Sequence, residues 1–291
     1  MNYQDQVFEH LSIYRRSVMN IDEDGIFKYR GHEIPKGHIL PVKYKQENIL
    51  EPIRERFYRS EHSRIKYHQY FHHLNSSQAM CINLFFPLII EHQLSVAANN
   101  FGLTSPVELK AAFEYESTLE LAERKTSFDF HLKGKIQEAF VEIKYTENEF
   151  GSAKNDDEHR KKYEDTYAPI ITNSPYLAEK VKNCDFFLKH YQVLRNLAHL
   201  GDNQNVVFLF PRLNKKIAGQ AAEAYESFVT EKGKHKFKIV FLEDFVPMLV
   251  NSSMPKNLKL YYAGFSEKYV LKDITSPTSA SSRHSTSLCS G

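Results

Sequence analysis

The chain has 291 residues, 42% of them hydrophobic and 25% charged, with a formal net charge of +2. That is enough apolar material for a substantial core, and the near balance of charge excludes a polycation, so any nucleic-acid surface must be a local basic patch. Cys81, Cys184 and Cys289 show neither metal-ligand spacing nor an even disulfide set. No basic leader with an apolar core opens the chain, and the run Leu84–Ile90 is too short to span a bilayer. A cytoplasmic protein with no membrane attachment is expected.

Apolar residues at helical spacing (Val7, Leu11, Tyr14, Val18) predict an amphipathic helix over 5–20. Gly and Pro punctuation makes 26–44 irregular or short β, and 47–72 reads as one or two helices with a basic, aromatic face. In that stretch Arg54, Arg56, Arg59, Arg64 and Lys66 interleave with Tyr and Phe, a pattern that can hold phosphates and stack on bases; a solvated helix face is the bland alternative. His68, His72 and His73 stand at i, i+4, i+5, but without a Glu-x-x-His arrangement or a Cys partner a zinc site is disfavoured. Asn75-Ser76-Ser77 offers an N-cap for an apolar helix over 78–100, with a break expected at Pro87.

Strands are predicted over 111–117, 126–132 and 138–147, the last two joined by a turn at 133–137 containing Gly134. The charged stretch 152–166 reads as a solvated loop or helix end, and 177–200 as a helix stopped by Gly201. A buried strand follows at 205–210, then a helix over 216–231, a strand at 238–241 and a short helix. The Ser- and Thr-rich segment 274–291 has the composition of a disordered tail. The order describes an α/β domain with a mixed sheet flanked by helices, arranged as residues 1–75 (a mainly helical extension) and 76–273 (the domain proper).

Three Glu-x-Lys triplets occur. Glu108-Leu109-Lys110 and Glu123-Arg124-Lys125 lie in polar stretches at element ends and read as surface charge; only Glu142-Ile143-Lys144 has a strand around it. Alternation puts Val141, Ile143 and Tyr145 on one face and Glu142 and Lys144 on the other. The preceding strand, TSFDFHL, alternates with Phe128 and Phe130 on one face and Asp129 on the other. If the hairpin is centred between Lys135 and Ile136, Asp129 lies across from Glu142 with Cβ atoms about 5 Å apart. Two like charges so placed destabilise a sheet unless a cation compensates. Mg²⁺ does so while keeping waters for substrate phosphates, and a lysine alongside can orient the attacking water or stabilise the transition state.

Asp129 followed on the next strand by Glu142-Ile143-Lys144, after a helix and before a helix and strand, resembles the PD-(D/E)xK nuclease core. The phrases NSSQAMCINLFFPL, TSFDFHL and VEIKYTE resemble the PGN_0703-like restriction endonucleases in particular. The resemblance implies a restriction-endonuclease-like α-β-β-β-α-β core and a Mg²⁺-dependent DNA endonuclease, Mn²⁺ being a substitute, that serves in restriction or defence. It implies catalysis by Asp129, Glu142 and Lys144, and a metal held at Asp129, Glu142, Ile143 and Glu116. Phe128 stands where the Pro of the superfamily name would be. A further acidic residue is expected before or on the first strand, with Glu91 and Glu116 the candidates. Gln192 and, one turn on, Arg195 are expected near the scissile phosphate, with Arg56, Arg59 and Arg64 on the DNA backbone. No Walker loop, dinucleotide fingerprint or Gly-x-Ser-x-Gly elbow is present, so ATP-driven translocation would need a separate ATPase. A homodimer or a separate specificity protein are the other expected partners. A non-catalytic nuclease-fold binding module and an RNA-directed nuclease remain as alternatives.

Overall fold

The computed structural model describes residues 1–104, 106–120 and 125–271. Glu123, Arg124 and the tail 274–291 lie outside the described residues. The N-terminal helix α1 (Tyr3–Ser17) is capped by Asn2, whose side chain accepts from the Asp5 N–H. A hairpin of β1 (Gly25–Tyr29) and β2 (His32–Lys36) follows. Arg15, wholly buried, donates to the carbonyls of Gly37, Ile21 and Glu23 and pairs with Asp24, tying that hairpin to α1.

Only α2 (Glu51–Arg59) and two 3₁₀ turns form in the region expected to be one or two helices. Residues 64–73 run as an irregular strap, so the helical spacing of His68, His72 and His73 is not realised. Next come α3 (Ser77–Ile90) and α4 (Leu94–Asn100), with the interruption at 91–93 rather than at Pro87. Pro87 lacks the N–H that would have bonded the Asn83 carbonyl, and its ring crowds that turn. The Tyr261 and Tyr262 hydroxyls donate instead to the carbonyls of Asn83 (2.7 Å) and Leu84 (2.8 Å), and the helix continues.

The main sheet holds five strands in the order β3-β4-β5-β6-β7: β3 (Lys110–Glu116), β4 (Ser127–Lys133), β5 (Glu138–Ile143), β6 (Gln204–Phe210) and β7 (Phe237–Phe241). The first three pair antiparallel and the last two add in parallel. Between β5 and β6 lie α5 (Asp157–Lys162), a π turn over Tyr163–Tyr167, α6 (Ala168–Ile171), α7 (Cys184–Lys189) and α8 (Tyr191–Leu197). The charged stretch expected as a solvated loop or helix end is thus mostly helix, and the long helix expected over 177–200 is broken at His190. After β6 come α9 (Lys215–Ser227) and α10 (Glu231–Lys234), and after β7 come α11 (Leu242–Asn251) and α12 (Lys256–Tyr269).

Each face of the sheet carries its own core. Val207 and Leu209 of β6 join α1, α2, α3, α11 and α12 on one side, while Val206, Phe208 and Phe210 join α7, α8 and α9 on the other. A strand covered on both faces needs a continuous apolar run, which is what NVVFLF provides. The first core runs from Val7 to Tyr269, so residues before 76 share it with the sheet. This is a mixed α/β fold with a five-stranded mixed sheet flanked by helices.

Candidate active site

The β4–β5 register is that of the hairpin centred between Lys135 and Ile136: Phe130 pairs with Val141, His131 with Phe140, Leu132 with Ala139 and Lys133 with Glu138. Continuing it by one step sets Asp129 opposite Glu142, but the ladder stops short of that pair. Asp129 instead turns its carboxylate to the Ile143 N–H, with Oδ2 at 2.6 Å. The pleat breaks at this point on two neighbouring strands. Phe130 stacks on Phe85 of α3, whereas Phe128 packs on Phe140 and His199 across the sheet. The expectation that Phe128 and Phe130 share a face therefore fails. On β3, Glu114 stands beside Asp129 and has φ +50°, a left-handed backbone that non-glycine residues rarely adopt. Phe113 and Tyr115, on either side of it, pack on opposite faces.

These breaks gather polar groups around the end of β5. Glu142 and Lys144 are both buried, with Lys144 Nζ 2.9 Å from Glu142 Oε1. Gln192 of α8 closes a triangle: its Nε2 donates to Glu142 Oε1 (2.7 Å) and its Oε1 accepts from Lys144 Nζ (3.1 Å). Gly151, held at φ +72°, accepts the Gln192 N–H through its carbonyl and fixes the start of that helix. On the other side Gln78, in the first turn of α3, donates to Glu114 Oε1 (2.7 Å) and accepts the His68 N–H (2.9 Å). The His68 ring reaches Glu114 Oε2 at 3.5 Å.

The electrostatics are those of unbalanced carboxylates. Burial raises the Asp129 carboxyl well above its ordinary range, and Glu142 and Glu114 add to the rise; Lys144 and the Ile143 N–H oppose it without prevailing. Burial alone would pull Lys144 down, but Glu142, Glu147 and Asp129 outweigh it and keep the ammonium charged. His68 is raised by its bond to Glu114, against the desolvation that would lower it.

The remaining expected residues fall elsewhere. Glu116 is exposed at the end of β3; Glu114 is the acid that sits beside Asp129. Glu91 lies at the far end of α3, about 20 Å along the helix from Gln78, and pairs with Arg56. Arg59 pairs with Glu55 on an exposed helix face, and Arg64 is exposed on the strap. Arg195 is turned to Glu120, with its Nε donating to Thr126 Oγ1 (3.1 Å) and its guanidinium over Tyr191. It is not directed at the carboxylate cluster. The Ile143 side chain is buried in the first core, so only its main chain belongs to the site.

The family model for restriction endonucleases associating with ARP matches residues 9–270. The chain belongs to that family. Its fold is thereby restriction-endonuclease-like, and its role is nuclease-related. No curated protein and no solved structure matches the chain. Among the described residues no helix is long and apolar enough to cross a membrane.

Two carboxylates that repel one another, one of them with a surface opening, suit a divalent cation. Mg²⁺ takes one or two protein carboxylates and fills its shell with water and phosphate oxygens. Among the described residues no group of three or more His, Cys, Asp or Glu side chains is placed to hold a metal ion. The donor set thus fits a cation completed by water and substrate, and does not fit a structural zinc.

Proposed function

We propose that the chain is a metal-dependent endonuclease of the PD-(D/E)xK type that hydrolyses DNA phosphodiester bonds in restriction or defence. The observation that supports it best is the buried Glu142–Lys144–Gln192 triangle beside the raised Asp129 carboxyl. Asp129 and Glu142 would hold Mg²⁺, or Mn²⁺ in its place, and Ile143 can add only a main-chain carbonyl. When bound, the cation lowers the pKa of its water and offsets charge growing on the phosphate. Lys144, kept cationic by its acidic neighbours, supplies a fixed positive charge where the transition state gains negative charge. Gln192 holds Lys144 and Glu142 in register, so neither must reorganise as charge develops. Glu114 adds negative potential next to Asp129 and strengthens the demand for a cation.

The family's description names an associated protein, ARP, and we place recognition or ATP-driven steps that this chain lacks motifs for in such a partner. A homodimer is the alternative route to cutting both strands. The test is incubation of the full chain, alone or with ARP, in Mg²⁺, Mn²⁺ or EDTA, on supercoiled plasmid, linear duplex and RNA. Metal-dependent nicking of DNA that Asp129→Asn abolishes is expected. No cleavage of DNA with either metal, alone or with ARP, refutes the reading, and cleavage of RNA alone moves it to that substrate.

A further inference from the structure

Beside the carboxylate cluster lies a cavity of about 470 Å³ that the catalytic reading does not use. Its walls come from the 3₁₀ turn Val42–Asn48, α2 and the strap: Tyr58, Tyr67, Phe71 and His68 supply ring surface, with Gln46 and Gln69 amides and the Lys45 ammonium around them. Unlike the cavities around Glu61, Glu147 and Glu138, it has no carboxylate in its lining. His68 joins it to the candidate site, since the residue lines this cavity while its ring sits 3.5 Å from Glu114. The strap is held in place on both sides of that ring. Gln78 Nε2 donates to the Lys66 carbonyl (3.0 Å) and its Oε1 accepts the His68 N–H, while the Tyr67 hydroxyl donates to the Ser63 carbonyl (3.0 Å). Tyr67 and Phe71 stand edge to face at 4.8 Å, which leaves a preformed aromatic corner.

We propose that this cavity takes a single unpaired nucleobase of the nucleic acid whose backbone passes the Asp129–Glu142 cluster; the proposal rests on the nuclease reading. Flat rings stack on flat rings, amides can meet the hydrogen-bonding edge of a base, and an acid-free wall with Lys45 does not repel the adjoining phosphate. The volume also lies within the range of sites for small flat ligands.

The experiment uses the full chain in EDTA, so that binding is read without turnover, with single-stranded DNA, duplex DNA and RNA oligonucleotides carrying 5-iodouracil at successive positions. Ultraviolet cross-linking followed by peptide mapping should place adducts on Tyr58, Tyr67 or Phe71. The Tyr58→Leu/Tyr67→Leu double variant should lose about tenfold or more in affinity, the scale of one lost stack, while Tyr58→Phe/Tyr67→Phe keeps its rings and binds like the parent. The phenylalanine pair is the control for folding, because it loses the same two hydroxyls as the leucine pair and leaves the ring packing intact. Adducts confined to other residues, equal affinity of the leucine and parent chains, or no binding of any oligonucleotide overturns the proposal. Cleavage with an unaltered leucine variant would refute the base site and leave the nuclease reading standing. Mapped adducts in a chain that never cleaves would do the reverse.

Discussion

Two carboxylates, nine residues apart in sequence, have opposite surroundings. Glu120 accepts three hydrogen bonds, from the Thr126 N–H (3.0 Å), the Thr126 hydroxyl and the Tyr167 hydroxyl (3.1 Å), and has the Arg195 guanidinium at 3.7 Å. Among the described residues Asp129 accepts one, from Ile143, and it faces Glu142 and Glu114. One short helix serves both, since α8 sends Gln192 to Glu142 and Arg195 to Glu120. A buried acid whose lone pairs are filled and whose charge is met is part of the scaffold. A buried acid crowded by other acids has a deficit that only a cation or a proton removes, and such deficits cluster at working sites.

The largest effect expected from this contrast is on stability. Glu120→Ala strands Arg195 beside Tyr167 without its carboxylate and should cost about 3–5 kcal/mol, as for other broken buried pairs. Urea titration would measure it, and cleavage per folded molecule should change little. A shift below roughly 1 kcal/mol, the size seen at ordinary surface positions, would remove Glu120 from the scaffold.

Lys144→Met is the counterpart on the other cluster. It keeps the apolar stem and deletes the ammonium, so turnover should fall on the order of a hundredfold or more, the scale of losing one transition-state donor. The midpoint of unfolding should fall as well, because Glu142 loses its buried partner, so turnover is read per folded molecule, and metal should still bind. A variant that cuts at the parental rate would break the contrast, because both clusters would then be structural.

A smaller effect separates the two acids of β3. Glu114→Gln should lower cleavage about tenfold, equivalent to about 1.4 kcal/mol, because it removes negative potential beside Asp129. Glu116→Gln, on an exposed side chain, should leave the rate alone. Equal effects would mean that the left-handed turn at Glu114 has no bearing on the site.

The sequence carried the β4–β5 hairpin, because a short turn and strict alternation along AFVEIK leave one register that buries Val141 and Ile143. It did not carry Glu114. The β3–β4 connection runs from Ser117 to Thr126, long enough that its centre could not be read, and φ +50° at Glu114 breaks the alternation on which a face assignment depends. Its signal was present only as the doubled acid in FEYES. Gln78 was hidden for a different reason: the conspicuous carboxylate of α3 is Glu91 at its C-terminal end, while the opposite end of the helix meets the sheet at Glu114 and Asp129. Arg195 looked free on its helix because Glu120 is far away along the chain, and spacing within a helix cannot reveal such a partner.

The smallest effect tests the deficit itself. Asp129→Asn is nearly isosteric, and its amide oxygen can still accept the Ile143 N–H. In the folded chain the Asp129 carboxyl is raised above its unfolded value near 4. Below about pH 4 the group is protonated in both states and contributes nothing. As pH rises past that value the unfolded chain ionises first, so folding loses stability until the folded carboxyl also ionises. At pH 7 the asparagine variant should therefore be more stable than the parent, and the advantage should vanish by about pH 4. Adding Mg²⁺ should close the gap from the other side, by stabilising the parent in proportion to occupancy and leaving the variant unmoved. Thermal unfolding of both chains with and without metal at pH 4 and pH 7 supplies the four differences. Were the variant less stable than the parent at pH 7 without metal, Asp129 would be a satisfied acid like Glu120, and the site would lose its reason to bind a cation.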